Sequence, residues 1–159
     1  MEKYPIVRVR KGKIKRGENI WKKKEAIEAL NNLCKENEFV YVIDLDGFRK
    51  NSPNLDLYKK IYGKLWIDSY PRFVEDIMDL IVVWAERITV RNANNDFLKE
   101  IKEICDKEIF LAGENLKELT KLIKDMGFNG IVLDEEQNFT GNLETWKIYL
   151  SDETIRRLK

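Results

Sequence analysis

Stretches with the length and composition of β-strands alternate along this chain with stretches of helical spacing, and that alternation restricts the fold more than any other feature. Residues 6–10, 39–45, 65–67, 87–90, 109–112 and 131–133 read as strands. Between them, apolar residues recur at helical spacing. Ala26, Ile27, Leu30, Leu33 and Cys34 form one such set, and Phe73, Ile77, Leu80, Ile81 and Trp84 another, opened by Pro71. Phe97, Ile101, Ile104 and Cys105 come next, and then Leu116, Leu119, Leu122 and Ile123 ahead of Gly127. A short helix is expected over residues 54–62, stopped by Gly63. Neighbouring parallel strands need a crossover between them, usually a helix, so the alternation predicts an α/β fold with a parallel sheet. The strands read as nearly solid apolar runs, as expected of a sheet covered on both faces. Periodicity alone does not say whether the sheet curls or lies open.

The two ends of the chain are less regular. Lys11-Gly12 predicts a turn that folds the first strand back into a short ribbon through Ile14. Beyond residue 133, residues 142–150 match a helix by analogy with an earlier segment, whereas the pattern of residues 146–150 is that of a seventh strand leading into a final helix over 152–158. The strand is the preferred reading. No Pro/Ser-rich linker interrupts the 159 residues, so residues 1–159 are expected to form one (βα)-repeat domain.

Composition narrows the chemistry. The chain has no histidine, which removes the usual general base, the usual zinc ligand and every Ser-His or Cys-His nucleophile pair. Cys34 and Cys105 lack metal-ligand spacing and read as buried thiols. No run approaches the roughly 18 apolar residues of a membrane span, and residues 1–10 lack the apolar centre of a secretion signal, so a cytoplasmic location is expected. The Lys/Glu surplus resembles a thermophile proteome, although the many asparagines run against that. Charge is unevenly placed. Residues 1–24 hold ten of the 29 basic residues and two of the 28 acidic ones, so this end should attract an anion. Tyr4 and Trp21 could stack nucleic-acid bases there, but the acidic remainder of the chain makes nucleic acid an unexpected partner.

One sentence is written twice. Residues 45–60 read LDGFRKNSPNLDLYKK and residues 133–148 read LDEEQNFTGNLETWKI, each with Leu-Asp, seven residues, then Asn-Leu and an acid. The preceding helix and strand also correspond, second strand against sixth, which suggests a duplicated half-barrel. Ile43-Asp44-Leu45-Asp46-Gly47-Phe48 with Asn54-Leu55-Asp56-Leu57 downstream resembles the V-D-L-D-G-A and N-L-E-L segments of the sugar-phosphate isomerase and cyclase barrels of histidine biosynthesis. Pro5, Gly12, Lys13 and Arg16 align with that family's opening segment, and Asp134, Thr140, Gly141 and Asn142 with a later loop. The likeness is moderately specific over residues 42–57 and weak over most of the rest of the chain. It implies a TIM-like barrel, here incomplete or shortened to about six to seven strands, because eight units typically need about 200 residues or more.

The resemblance also defines what is missing. The family's reaction uses two aspartates as acid and base. Arg8 stands where the first belongs, and Glu114 is the nearest carboxylate to the second. A guanidinium stays protonated and cannot replace a carboxylate, so family isomerase activity is not expected. Any remaining chemistry is assigned to Asp46, Asp134 and Glu114, near the carboxyl ends of their strands together with Asp44 and Asp68. Phosphate binding is assigned to Arg72, Arg91 and Asn92, in place of the family's glycine-rich turn. No metal or cofactor is expected. The expected ligand is a small phosphorylated metabolite and the expected assembly a homodimer, which would cover the open edge of an unclosed sheet. The alternative is a noncatalytic scaffold that associates with itself.

Overall fold

A computed structural model describes residues 2–159. The chain begins with an antiparallel ribbon, β1 (Lys3–Arg10), β2 (Lys13–Arg16) and β3 (Asn19–Trp21), and continues into α1 (Lys23–Glu36) and β4 (Val40–Asp44). Two short helices, α2 (Leu45–Lys50) and α3 (Leu55–Tyr58), precede β5 (Leu65–Asp68). Then come α4 (Val74–Val82), β6 (Arg87–Arg91), α5 (Asn95–Ile104), β7 (Glu108–Ala112), α6 (Leu116–Met126) and β8 (Gly130–Leu133). The chain finishes with two strands, β9 (Thr145–Tyr149) and β10 (Thr154–Arg157).

The sheet is a closed barrel of eight strands and it is mixed, which corrects the expected all-parallel, shortened TIM-like barrel of six to seven strands. Strands β1, β4, β5, β6, β7, β8 and β9 run parallel in that order. β10 runs antiparallel between β9 and β1 and joins the two edges. The expected helix over 152–158 is this strand. Only four residues separate β9 from β10, far too few for a crossover, so the second strand can only run back along the first. A lone seven-residue helix would be marginal in water. As a strand, the segment instead satisfies two open edges and places Ile155 in the barrel interior.

β1 uses one edge twice. Lys3, Tyr4 and Pro5 pair with β10, while Arg8, Val9 and Arg10 pair with β2. The hairpin therefore continues the barrel wall above β10, and the Glu153 carboxylate accepts from Gly17 N at 2.6 Å where the two meet. The turn is the expected Lys11-Gly12 pair. Both residues have positive φ, 49° and 74°, as a two-residue hairpin turn of this hand requires.

Strand side chains divide into two cores. Val7, Val9, Val42, Ile67, Ile88, Leu111 and Ile131 face outward under the helices. Ile6, Tyr41, Trp66, Phe110, Val132, Trp146 and Ile155 fill the interior. Trp66 lies 5.1 Å from Tyr41, 4.7 Å from Phe110 and 5.1 Å from Trp146, ring centre to ring centre. At the floor the Arg87 guanidinium sits 4.1 Å from the Phe39 ring and 5.0 Å from Trp66, and is paired with Glu108 at 3.2 Å. The interior is a packed core, so a ligand binds outside it.

β9 and β10 show why their pattern alternates where the other strands do not. No helix comes after β8. Phe139 and Leu143 of the intervening loop pack on the outer core instead. Lys147 and Tyr149 face outward without such cover, while Trp146 and Ile148 point in.

Candidate functional site

The carboxyl ends of the parallel strands gather most of the polar residues singled out in the sequence, but the fold uses many of them internally. Asp44, fully buried at the end of β4, accepts from Gly47 N at 2.9 Å, Asn54 N at 2.7 Å and the Asn54 side chain at 3.0 Å, and from the Tyr58 hydroxyl. It caps α2 and ties the next loop to the strand. Burial, together with the neighbouring Asp44 charge, raises the Tyr58 pKa well above that of an ordinary phenol.

Asp46 is a latch between the hairpin and the barrel. Its carboxylate accepts from Lys11 N at 2.6 Å and from the Asn54 amide at 3.0 Å, while Asn54 Oδ1 accepts from Gly12 N at 2.8 Å. Burial works to raise the Asp46 pKa. The Lys11 amide, the Asn54 side chain and the Lys50 and Arg10 charges outweigh it and hold the carboxyl below its ordinary value. Gly47 admits no side chain, because a Cβ would lie 2.4 Å from the Ser69 carbonyl oxygen.

A second network closes the centre of the mouth. The Arg91 guanidinium donates to Asp68 at 2.8–3.2 Å and to Asp134 at 3.1 and 3.2 Å. Asp68 is completely buried and also accepts from the Tyr41 hydroxyl at 2.6 Å. Burial acts to lower the Arg91 pKa, but the Asp68 and Asp134 carboxylates more than reverse it and keep the cation protonated. Arg72 donates to the Gly47 and Phe48 carbonyls at 2.9 and 2.6 Å and stacks 4.6 Å from the Tyr70 ring. Glu114 and Asn92 line a different cleft of about 280 Å³, beside the capping residues Asn94 and Asn115. The structure thus brings Arg91 and Asp134 together and places Asp46, Arg72 and Glu114 apart from that pair.

The sequence marked this end of the chain as basic but named no site residues on it, and the structure sets four of its cations on one face of the hairpin. Register sets Arg8 opposite Lys15 and Arg10 opposite Lys13, and β3 sets Ile20 beside Lys15. These side chains share one face, because Val9 and Ile14 occupy the other, against the outer core. Together with Lys11 and Leu45 they line a cleft of about 420 Å³. No acidic residue lines it, and among the described residues none of the five cations lies within 4 Å of a carboxylate oxygen. Like charges directly opposite on paired strands are destabilising, and here two such pairs are adjacent. The signal was present in the sequence as basic residues at 8, 10, 13 and 15, spaced by two on either side of a two-residue turn.

Tyr4, considered for base stacking, is buried at the barrel floor, 5.4 Å from Trp146. Trp21 packs against the outer core. Burial pushes the Cys34 thiol up to about 11, which makes it a poor nucleophile. Among the described residues no cluster of three or more carboxylate or thiol groups is placed to hold a metal ion, and no helix is long and apolar enough to cross a membrane. Compared with known proteins, the chain matches no protein-family model, and no curated protein matches it in sequence.

Proposed function

We propose that the protein is a noncatalytic binder of small phosphorylated molecules, held in the cationic cleft of the β1–β2–β3 ribbon. One contrast supports this reading. Five basic side chains face the cleft with no acid among them, whereas Asp44, Asp46, Asp68 and Asp134 are each engaged by donors within the protein. Arg8 and Arg10 offer the planar fork that suits a phosphate, and the lysines add point charges. Ile20 and Leu45 give an apolar wall to the rest of the ligand. No residue lining the cleft is a general base near neutral pH, which favours binding over the acid-base chemistry of the histidine-biosynthesis isomerases.

Calorimetric titration with inorganic phosphate and sugar monophosphates tests this. Affinity should fall as salt rises. Lys15→Glu should weaken it about ten- to hundredfold, since hydrogen bonds to charged groups contribute about 1.5–3 kcal/mol. The same change turns a repulsive cross-strand pair with Arg8 into an attractive one, so the melting temperature should hold or rise. Unchanged phosphate affinity in Lys15→Glu, or no binding by the unmodified protein, overturns the proposal.

A second reading, self-association as a scaffold, is favoured by a different observation. Phe73, Met78, Val82 and Trp84 in and beside α4 are 62%, 51%, 67% and 74% exposed.

A further inference from the structure

The cationic cleft does not stand alone. Lys11 and Lys13 also wall a second cleft of about 310 Å³, on the other side of the hairpin turn, where Lys22, Lys23 and Lys60 join them. Lys22 and Lys23 in turn wall a third, with Lys24 and Ile20. Because each cleft shares two lysines with the next, the three clefts adjoin in a mostly basic band around the free end of the ribbon. Only Asp56 and Glu25 among the lining residues are acidic. Among the described residues, none of these lysines has a carboxylate oxygen within 4 Å.

Two features show that the charges stand against local preference. Lys11 and Lys23 both adopt the left-handed conformation, φ 49° and 50°, which glycine or asparagine occupies at less cost. Arg8 with Lys15 and Arg10 with Lys13 add two repulsive cross-strand pairs. Same-face residues two apart on a strand lie about 6.8 Å from each other, and neighbouring strands about 4.8 Å apart, so one extended chain of phosphates crossing the ribbon meets several cations in turn. A single small phosphate would occupy only one of the three clefts of this belt.

We infer that this belt binds a linear chain of phosphates, either inorganic polyphosphate or a nucleic-acid backbone, recognised through the phosphates alone. The inference rests on phosphate binding in the ribbon cleft and extends it to Lys22, Lys23 and Lys60. No aromatic ring lines any of the three clefts, so bases are not read by stacking.

The test compares inorganic tripolyphosphate, long-chain polyphosphate and a homopolymeric single-stranded oligonucleotide by calorimetry and fluorescence anisotropy over a range of salt. A chain that spans the belt should bind about a hundredfold more tightly than tripolyphosphate. Its dependence on salt should be steeper, with a slope of about −0.7 per phosphate engaged for a single-stranded nucleic acid. The double variant Lys22→Glu/Lys60→Glu, outside the first cleft, should remove this advantage and leave tripolyphosphate binding intact, which also reports that the variant is folded. Tight binding of either long chain supports the inference, and the arm that binds identifies the source. Equal affinity for short and long chains, or a double variant that binds the long chain normally, overturns the belt and leaves the cleft. Failure of tripolyphosphate as well overturns both.

Discussion

Two arginines on one strand face the barrel interior and meet opposite surroundings. Arg87 at the floor has aromatic rings on several sides, and its Nη1 is buried without a hydrogen-bond partner. The ring faces supply part of what water would. Arg91 at the mouth is instead held by two carboxylates, one of them fully buried. Removing Arg91 leaves Asp68 buried and unpaired, a change that typically costs about 3–5 kcal/mol. Arg91→Leu should therefore lose about that much in urea unfolding, and Arg91→Leu/Asp68→Leu should recover most of it. A loss below about 1 kcal/mol in the single variant would mean that water reaches Asp68 freely. This pair was only half legible in the sequence. Arg91, Asp68 and Asp134 stood out as polar residues at strand ends, but that one guanidinium bridges two strands on either side of it depends on the barrel's curvature.

The β1–β2 hairpin owes its position to the loop after β4. Asp46 accepts from Lys11 N, and Asn54 links it to Asp44 and to Gly12. The repeated Leu-Asp and Asn-Leu segment thus has a structural use in its first copy, holding a ribbon to a barrel. In the second copy Asp134 pairs with Arg91 and Asn142 lies in a loop before β9, not at a helix start. The two segments leave the second and sixth strands of the barrel but diverge in structure, because a helix covers one and the loop residues Phe139 and Leu143 the other. The latch makes a pH prediction. The folded pKa of Asp46 is depressed, so its stabilisation is fully present above the unfolded value of about 3.9 and is lost as pH falls through the lower folded value. Hydrogen exchange at Lys11 N and Gly12 N, corrected for the intrinsic rate, should lose protection in acid before the barrel amides do. Asp46→Asn should show weakened protection already at neutral pH. Equal acid sensitivity of hairpin and barrel amides in both proteins would remove the latch.

Closure changes the expectation about assembly. An unclosed sheet would have needed a partner to cover its edges, but β10 pairs with both β9 and β1. If the protein associates with itself, the surface available is the one in and beside α4, where Val82 and Met78 lie one turn apart and Trp84 stands exposed at φ 66°. Analytical ultracentrifugation over a concentration series should then show a dimer that Val82→Lys/Trp84→Lys converts to monomer with no loss of thermal stability. A monomer at every concentration would sink the scaffold reading and leave phosphate binding unaffected, because the ribbon and α4 share no residue.

Local pattern was enough to place nearly every parallel strand and long helix, since a strand covered on both faces must be apolar throughout and a covering helix must be apolar along one stripe. It was also enough to place the Lys11-Gly12 turn and to mark the first 24 residues as the basic end. Whether eight strands close, and whether the last segment is a strand at all, were decided by tertiary structure. Both depend on pairing between segments far apart in the chain, β10 with β1. Such pairings leave no mark on the spacing of neighbours, because edge hydrogen bonds come from the backbone, which every residue carries alike.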